Sequence, residues 1–336
     1  LRYAVAGGPD GAWGGALPEV DSRAVCILRE TFARHEGLAD FAFAMQGLGS
    51  GAISLMGSDE LRQRYLPRVA RGEAIAAFAL SEPDAGSDVA ALACEARLDG
   101  DHYVLNGAKT WISNGGIADF YCVFARTGEA PGARGISAFV VDAGTPGFEV
   151  SERIDLIAPH PLATITFDNC RVPASALLGG EEGNGFRTSM RVLDKGRLHI
   201  SALCVGIAER LLSDAVKYAT ERKQFGQPIA EFQLIQAMIA DSQAELYAAR
   251  CMVLDAARMR DRGENTTMQA ACCKLFSTEM VGRVADRAVQ IHGGAGYMSE
   301  YAVERFYRDV RLFRIFEGTS QIQQLVIARE TIKAYS

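Results

Sequence analysis

A carboxylate stands alone in RIFEGTSQIQQ (314–324), where Glu317 follows Phe316 and precedes Gly318, Thr319 and Ser320. The Thr-Ser pair reads as the cap of a following helix, and that reading leaves the Glu unexplained. Four other stretches carry groups that could hold a ligand. In FALSEPDAGSDVA (78–90), Pro83, Ala85 and Gly86 prevent a regular element. Ser81, Ser87 and backbone N–H groups are left to face a planar ligand, unless the stretch is simply a surface loop. NGAKTWISNGG (106–116) holds Trp111, one of 2 tryptophans, and strand alternation places Trp111 and Ser113 on one face. An aromatic plane with a hydroxyl beside it suits a flat heteroaromatic ligand, and a buried core Trp is the plainer alternative. ERKQFGQPIAEFQ (221–233) joins Arg222 and Lys223 to Phe225-Gly226. Such a basic, aromatic turn can hold a pyrophosphate, or be a solvated helix end. QIHGGAGYMSEYAVERFYRD (290–309) is a helix, a Gly-rich break and a second helix. It is not a dinucleotide fingerprint, because no strand precedes it and the Gly spacing is wrong. It offers close backbone approach to a ligand, or an ordinary helix end.

The elements that must position these groups change period along the chain. Residues 1–74 follow a Gly-rich lead with helical patterns over Ser22–Ala44 and Ser58–Val69, Ser58 being an N-cap candidate. Residues 75–180 switch to period two. CEARL sets Cys94, Ala96 and Leu98 on one face, DFYCVFA, GISAFVV and LATITFDN run apolar or alternate, and Asp99-Gly100 and Asn106-Gly107 mark turns. Residues 181–336 return to helices, with stripes Leu203, Ile207, Leu211, Ala215 and Ile235, Ile239, Ser242, Leu246, Ala249, Val253, Ala256. The order predicts an α+β multidomain chain: N-terminal helices, a middle antiparallel β-barrel or sandwich domain, and a C-terminal four-helix bundle.

Bulk properties narrow the partners. The 336 residues carry a net charge of −6 with 49% hydrophobic residues, which argues against a nucleic-acid backbone as partner. No apolar run is long enough to span a membrane. The 8 cysteines form no C-x-x-C pair and the 5 histidines no metal-ligand spacing, so no metal site is expected and the thiols read as reduced and buried.

Taken together and in this order, ALSEPDAGSD, NGAKTWISN, ERKQFG, QIHGGAGYMSEYAVERFYRD and FEGTSQIQ make the chain resemble the acyl-CoA dehydrogenase family over essentially its whole length, with a short N-terminal helical part. The resemblance implies non-covalent FAD between the sheet domain and the C-terminal helices, and removal of two hydrogens from the α and β carbons of an acyl-CoA. It places Phe78, Leu80, Ser81, Trp111 and Ser113 against the flavin ring. Arg222, Gln224, Phe225 and Gln233, with Gln290 and Gly294 of another subunit, fall around the adenosine and pyrophosphate, and Thr319 and Gln321 also touch FAD. A homotetramer, a dimer of dimers, follows.

Glu317 matches the family's catalytic base, which must be close to the thioester and dry. Gly318 gives room and a backbone N–H for the thioester carbonyl. Asp194, Arg197 and Ser87 match substrate positions, and Phe41, Phe43 and Met45 are candidates for the acyl pocket. Some members carry the base on the earlier helix, but LDKGRLHIS has Gly196 and no Glu there. Pro159 and Pro161 bracket His160 where the family has a basic, Gly-rich run. The expected electron acceptor is an electron-transfer flavoprotein. The expected compartment is the cytoplasm of a bacterium, or the mitochondrial matrix after removal of a presequence. The alternatives are an acyl-CoA oxidase-like flavoenzyme of the same fold and a non-catalytic acyl-CoA-binding protein. The acyl chain is left open.

Overall fold

The computed structural model describes residues 1–128 and 130–336. In chain order, α1 (Ser22–His35), α2 (Gly37–Gly49), α3 (Gly51–Met56) and α4 (Asp59–Arg71) lead into seven strands. These are β1 (Ala76–Ala79), β2 (Glu95–Asp99), β3 (His102–Ser113), β4 (Phe120–Arg126), β5 (Ile136–Asp142), β6 (Phe148–Arg153) and β7 (Leu162–Pro173). The long α5 (Gly185–Glu221) follows, then the hairpin of β8 (Lys223–Gln224) and β9 (Gln227–Pro228). The chain closes with α6 (Gln233–Asp261), α7 (Thr267–His292), α8 (Ala302–Arg311) and α9 (Ser320–Tyr335). These elements form two compact units: Leu1–Asp21 with Ala42–Leu193, and Ser22–Phe41 with Asp194–Ser336.

The helical stretch expected over Ser22–Ala44 is two helices, broken at Glu36. A one-residue interruption before a glycine leaves the apolar spacing almost intact, so periodicity alone does not register it. The Ser58 cap is present, its side chain accepting from Leu61 N–H.

In the first unit, the sheet runs β1-β4-β2-β3-β7-β6, with β5 also on β4. Most pairings are antiparallel, as expected, but β1 runs parallel to β4 from Ala76↔Phe120 to Ala79↔Val123, and β2 meets β4 in parallel at Glu95↔Arg126. The β2–β3 excursion lies between β1 and β4 and supplies the long connection that parallel pairing requires. Phe120–Ala125 is buried throughout, which is why this strand reads as an apolar run. Cys94, just before β2, and Ala96 on it are buried as alternation predicts, but Leu98 is 57% exposed where the strand runs out into its turn.

The β3–β7 ladder shifts register between Lys109 and Ile112. This bulge takes Trp111 to φ 55° and turns its indole outward. Alternation breaks at Lys109 and Thr110, both buried, and resumes with Trp111 exposed, Ile112 buried and Ser113 half-buried, so Trp111 and Ser113 keep to the same side as expected. Below the bulge, Lys109 is wholly buried and donates to Glu82 Oε1 at 2.7 Å and Leu80 O at 3.1 Å. Glu82 in turn accepts from the N–H groups of Ala93 and Cys94 at 2.6 and 3.0 Å. The irregular stretch after β1 thus hangs on one buried, fully bonded ion pair.

In the second unit, Leu203, Ile207, Leu211 and Ala215 of α5 and Ser242, Leu246, Ala249, Val253 and Ala256 of α6 are buried as the spacing predicts. Ile235 and Ile239, expected on the same α6 stripe, are half-buried and pack against the core edge. The N-terminal helix α1 joins this core through Cys26 and Ala33. Arg250 of α6 pins α1 and α5 together, reaching Glu30 and Glu209 at 2.7 Å each. All 8 cysteines are free, and Cys251 is exposed rather than buried.

Breaking a buried pair leaves an uncompensated charge in low dielectric. Lys109→Met should therefore lower unfolding stability in urea by about 3–5 kcal/mol. A loss below about 1 kcal/mol would mean the pair behaves as a solvated one.

Candidate active site

The C-terminal turn that carries Glu317 is built against α7. Glu317 adopts φ 49°, a left-handed conformation, and Gly318 follows at φ 91°. A non-glycine residue there costs about 1 kcal/mol or more, so the surroundings must hold it. Thr319 caps α9, its hydroxyl accepting from Ile322 N–H at 3.2 Å. Ser320 donates to Glu279 of α7 at 2.7 Å. Lys274 of α7, wholly buried, donates to the carbonyls of Phe316 and Gly318 at 2.9 and 2.5 Å. Gln323 also donates to the Gly318 carbonyl, at 3.0 Å.

Glu317 is half-buried as a residue, yet its Oε2 is closed off from solvent and accepts no hydrogen bond among the described residues. That oxygen packs on Gly196 of α5, and any Cβ at position 196 would collide with it. Burial raises the Glu317 pKa above the ordinary carboxylate value, while Arg29, Lys274 and Arg197 pull it down and Asp40 adds to the rise. The net direction is upward. Arg29 does not bond the carboxylate but makes a two-pronged, buried bond to Asp40 at 2.8 and 2.6 Å. Burial pushes the Lys274 ammonium down to about 8, against the opposing pull of Glu317 and Cys204. His199, nearby on α5, is held neutral by burial and by Arg260, Arg29 and Lys195.

The substrate candidates on α5 bond one another: Arg197, buried, donates to half-exposed Asp194 at 2.6 Å. Arg260 of α6 steadies the same turn through the carbonyls of Asp194 and Lys195 at 2.9 and 3.2 Å. Ser87 is exposed in its loop. Phe43 and Met45 are buried, and Phe41 is half-buried.

The flavin candidates divide by unit. In the first, Leu80 and Ser81 are tied to β3: Lys109 holds the Leu80 carbonyl, and Thr110 N–H donates to Ser81 O at 3.0 Å. Trp111 follows directly, 54% exposed, with Gly86 beside its ring. Ser113 is half-buried at the end of β3. Phe78 packs against Phe124 with ring centroids 4.9 Å apart, so its ring is part of the core edge. In the second unit, Arg222, Gln224 and Phe225 are exposed at the β8–β9 turn, Phe225 at φ 53° and 95% exposed. Gln233 opens α6, Gln290 lies near the end of α7, Gly294 sits in the turn Gly293–Tyr297, and Gln321 is on the first turn of α9, all exposed. His160, between its two prolines, is half-buried, and burial lowers its pKa.

Sequence reasoning missed Lys274, Arg29 and Asp40. Each left a signal: a charge on the buried stripe of a helix. Arg29 continues Ser22, Val25 and Cys26, and Lys274 continues Ala270, Ala271 and Cys273, all buried.

Helices, a mixed sheet and a helical bundle, with a shielded glutamate on the bundle, define the class. The N-terminal, middle and C-terminal domain profiles of acyl-CoA dehydrogenases match residues 10–73, 77–170 and 183–332. The probable acyl-CoA dehydrogenase FadE25 of Mycobacterium tuberculosis is 43% identical over 316 residues, covering 93% of this chain and 81% of the relative. The caffeyl-CoA reductase-Etf complex subunit CarC of Acetobacterium woodii is 41% identical, covering 93% and 83%. Butyryl-CoA dehydrogenase from Megasphaera elsdenii superposes with a TM-score of 0.94 at 34% identity, covering 98% of this chain and 87% of that one. The chain belongs to the acyl-CoA dehydrogenase family and is an oxidoreductase enzyme whose cofactor is FAD.

The residues fit that cofactor. An indole that stands out of the sheet beside Ser81 and Gly86 offers a surface for a flat ring, and exposed Arg222 beside Phe225 suits an anionic, aromatic tail.

The raised Glu317 pKa has a thermodynamic consequence with a definite sign. The folded state holds this proton to higher pH than the unfolded chain, whose carboxyl titrates near 4.5. Stability contributed by the protonated form is present in acid and is lost as pH rises through the folded value. Glu317→Gln cannot ionise. It should show a higher thermal midpoint than wild type at mildly alkaline pH, with the gap closing in acid. A lower midpoint at alkaline pH would mean that Arg29, Lys274 and Arg197 more than offset the burial of the charge.

Proposed function

We propose that this enzyme carries out α,β-dehydrogenation of an acyl-CoA thioester, with Glu317 as the base that takes the α-proton. The observation that carries the reading is the Glu317 carboxylate, one oxygen of which is sealed from solvent and has no hydrogen-bond donor among the described residues. An α-proton of a thioester is weakly acidic, so its acceptor must be desolvated and of raised basicity. Both properties follow from the packing of the carboxylate on Gly196. Gly318, bare of a side chain, lets the thioester carbonyl approach, and a backbone N–H there bears the negative charge that develops on its oxygen. Asp194, Arg197 and Ser87 help hold the CoA portion. FAD supplies the acceptor for the β-hydrogen, which leaves as hydride. Phe78, Leu80, Ser81, Trp111, Ser113, Arg222, Gln224, Phe225, Gln233, Gln290, Gly294, Thr319 and Gln321 hold and orient it.

Electrons pass onward to an electron-transfer flavoprotein, and the relative named as part of an Etf complex supports this partner. The same relative is a reductase, which favours a second reading: the same residues running in reverse, protonated Glu317 returning its proton to the α-carbon. The potential of the partner, and not the geometry of the base, then decides the direction. A homotetramer accompanies either reading. It is supported by exposed apolar side chains such as Phe225, Tyr297, Leu325, Ile332 and Tyr335, 95%, 91%, 66%, 69% and 90% exposed. Sedimentation equilibrium should give a tetramer mass, and a monomer would sink that part.

Anaerobic titration of the FAD-loaded protein with a panel of acyl-CoAs, followed by flavin absorbance, tests the chemistry. Bleaching by one acyl class identifies both reaction and substrate. Glu317→Gln should keep FAD and bind acyl-CoA while flavin reduction slows on the order of 10³-fold. Reduction at the wild-type rate would place the base elsewhere.

A further inference from the structure

We infer that Lys274 is a positioning residue: its ammonium, bridging the carbonyls on either side of Glu317, fixes the left-handed turn that aims the carboxylate. The inference rests on the reading of Glu317 as the base.

A buried lysine ordinarily pairs with a carboxylate. Lys274 instead donates to two main-chain oxygens, those of Phe316 and Gly318, and its side chain is wholly inaccessible. With Glu317 at φ 49° and Gly318 at φ 91°, these alternate carbonyls converge on one point. Neither belongs to a helix, since α9 begins at Ser320, and neither pairs in a strand. A compact cation with several donors can satisfy two converging carbonyls, which a planar side chain would meet poorly. The bridge spans Glu317 and leaves its side chain untouched. The carboxylate therefore keeps a bare Oε2 while its main chain is clamped. A second tie between the same elements, Ser320 to Glu279, lies just beyond. Together they hold the turn from both ends to one helix, α7.

Without the bridge, the part-buried Phe316 carbonyl loses the Lys274 donor and the Gly318 carbonyl keeps only that of Gln323, and the turn is held less firmly in its strained geometry. A shift of about 1 Å at a base is enough to slow proton transfer on the order of 100-fold. The charge of Lys274 acts on Glu317 too, alongside Arg29, Arg197 and Asp40. The two effects separate by pH. Loss of charge moves the midpoint of the pH–rate profile, whereas loss of aim lowers its high-pH plateau.

The test is Lys274→Met, which keeps the volume and removes the donors. We expect the plateau rate of anaerobic flavin reduction to fall on the order of 100-fold. Affinity for an enoyl-CoA should stay within about threefold of wild type. Amide hydrogen exchange in the segment 314–320 should quicken at least about tenfold, a readout independent of turnover. A plateau within about threefold of wild type overturns the inference, and so does a fallen plateau with unchanged exchange. Should Lys274→Met fail to fold, Lys274→Gln keeps an uncharged amide donor group on a shorter side chain and should fall between the two in both measurements; wild-type values in both would again overturn it. Glu317→Gln is run in parallel. If it reduces flavin normally, the base reading has failed. If it is inert while Lys274→Met is normal, only the role of Lys274 has failed.

Discussion

A buried carboxylate of raised pKa, such as Glu317, is caught between two demands. Donors to its oxygens would hold it in place and abolish its basicity, and leaving it without them leaves it poorly anchored. The second unit resolves this by anchoring the main chain in place of the side chain. Lys274 bonds the carbonyls flanking Glu317, Thr319 caps the next helix, and Gly196 gives the carboxylate a surface without a donor. Nearby cations act through space: Arg29 spends its hydrogen bonds on Asp40, and Arg197 bonds Asp194.

The first unit uses the same device for a different end. Lys109 and Glu82 are buried under the irregular loop, and their bonds run to main-chain groups at Leu80, Ala93 and Cys94. That support holds the backbone beside half-buried Ser81 and exposed Trp111. In both units a buried ion or ion pair bonded to main-chain groups sets the backbone of candidate ligand-binding residues.

The candidate site was proposed from residue types. Glu317, Gly318, Trp111 and Arg222 stood out as unusual groups in short blocks whose order carried the resemblance. The α5 stripe and the α6 stripe from Ser242 onward were read correctly, because a 3–4 spacing survives any tertiary arrangement that buries one face, whereas Ile235 and Ile239 lie at the core edge. The bulge just before Trp111 was not legible. A bulge depends on how β3 pairs with β7, and local alternation has no access to that. The parallel pairing of β1 with β4 was hidden for the same reason. Arg29 and Lys274 were visible as charges on apolar stripes, but a stripe does not say which partner a buried charge will find.

The sequence by itself determined the family and the order of helices and sheet, and it singled out Glu317 as a carboxylate set in an apolar turn, because these depend on local spacing and side-chain chemistry. Only the tertiary structure decided that α1 joins the C-terminal helices, that Gly196 lies under the Glu317 carboxylate, and that a lysine 43 residues earlier clamps its backbone, 317 − 274. Those facts arise from contacts between segments far apart in the chain. Their energies come from burial and from hydrogen bonds to main-chain carbonyls, which every residue carries alike and which leave no mark on the sequence.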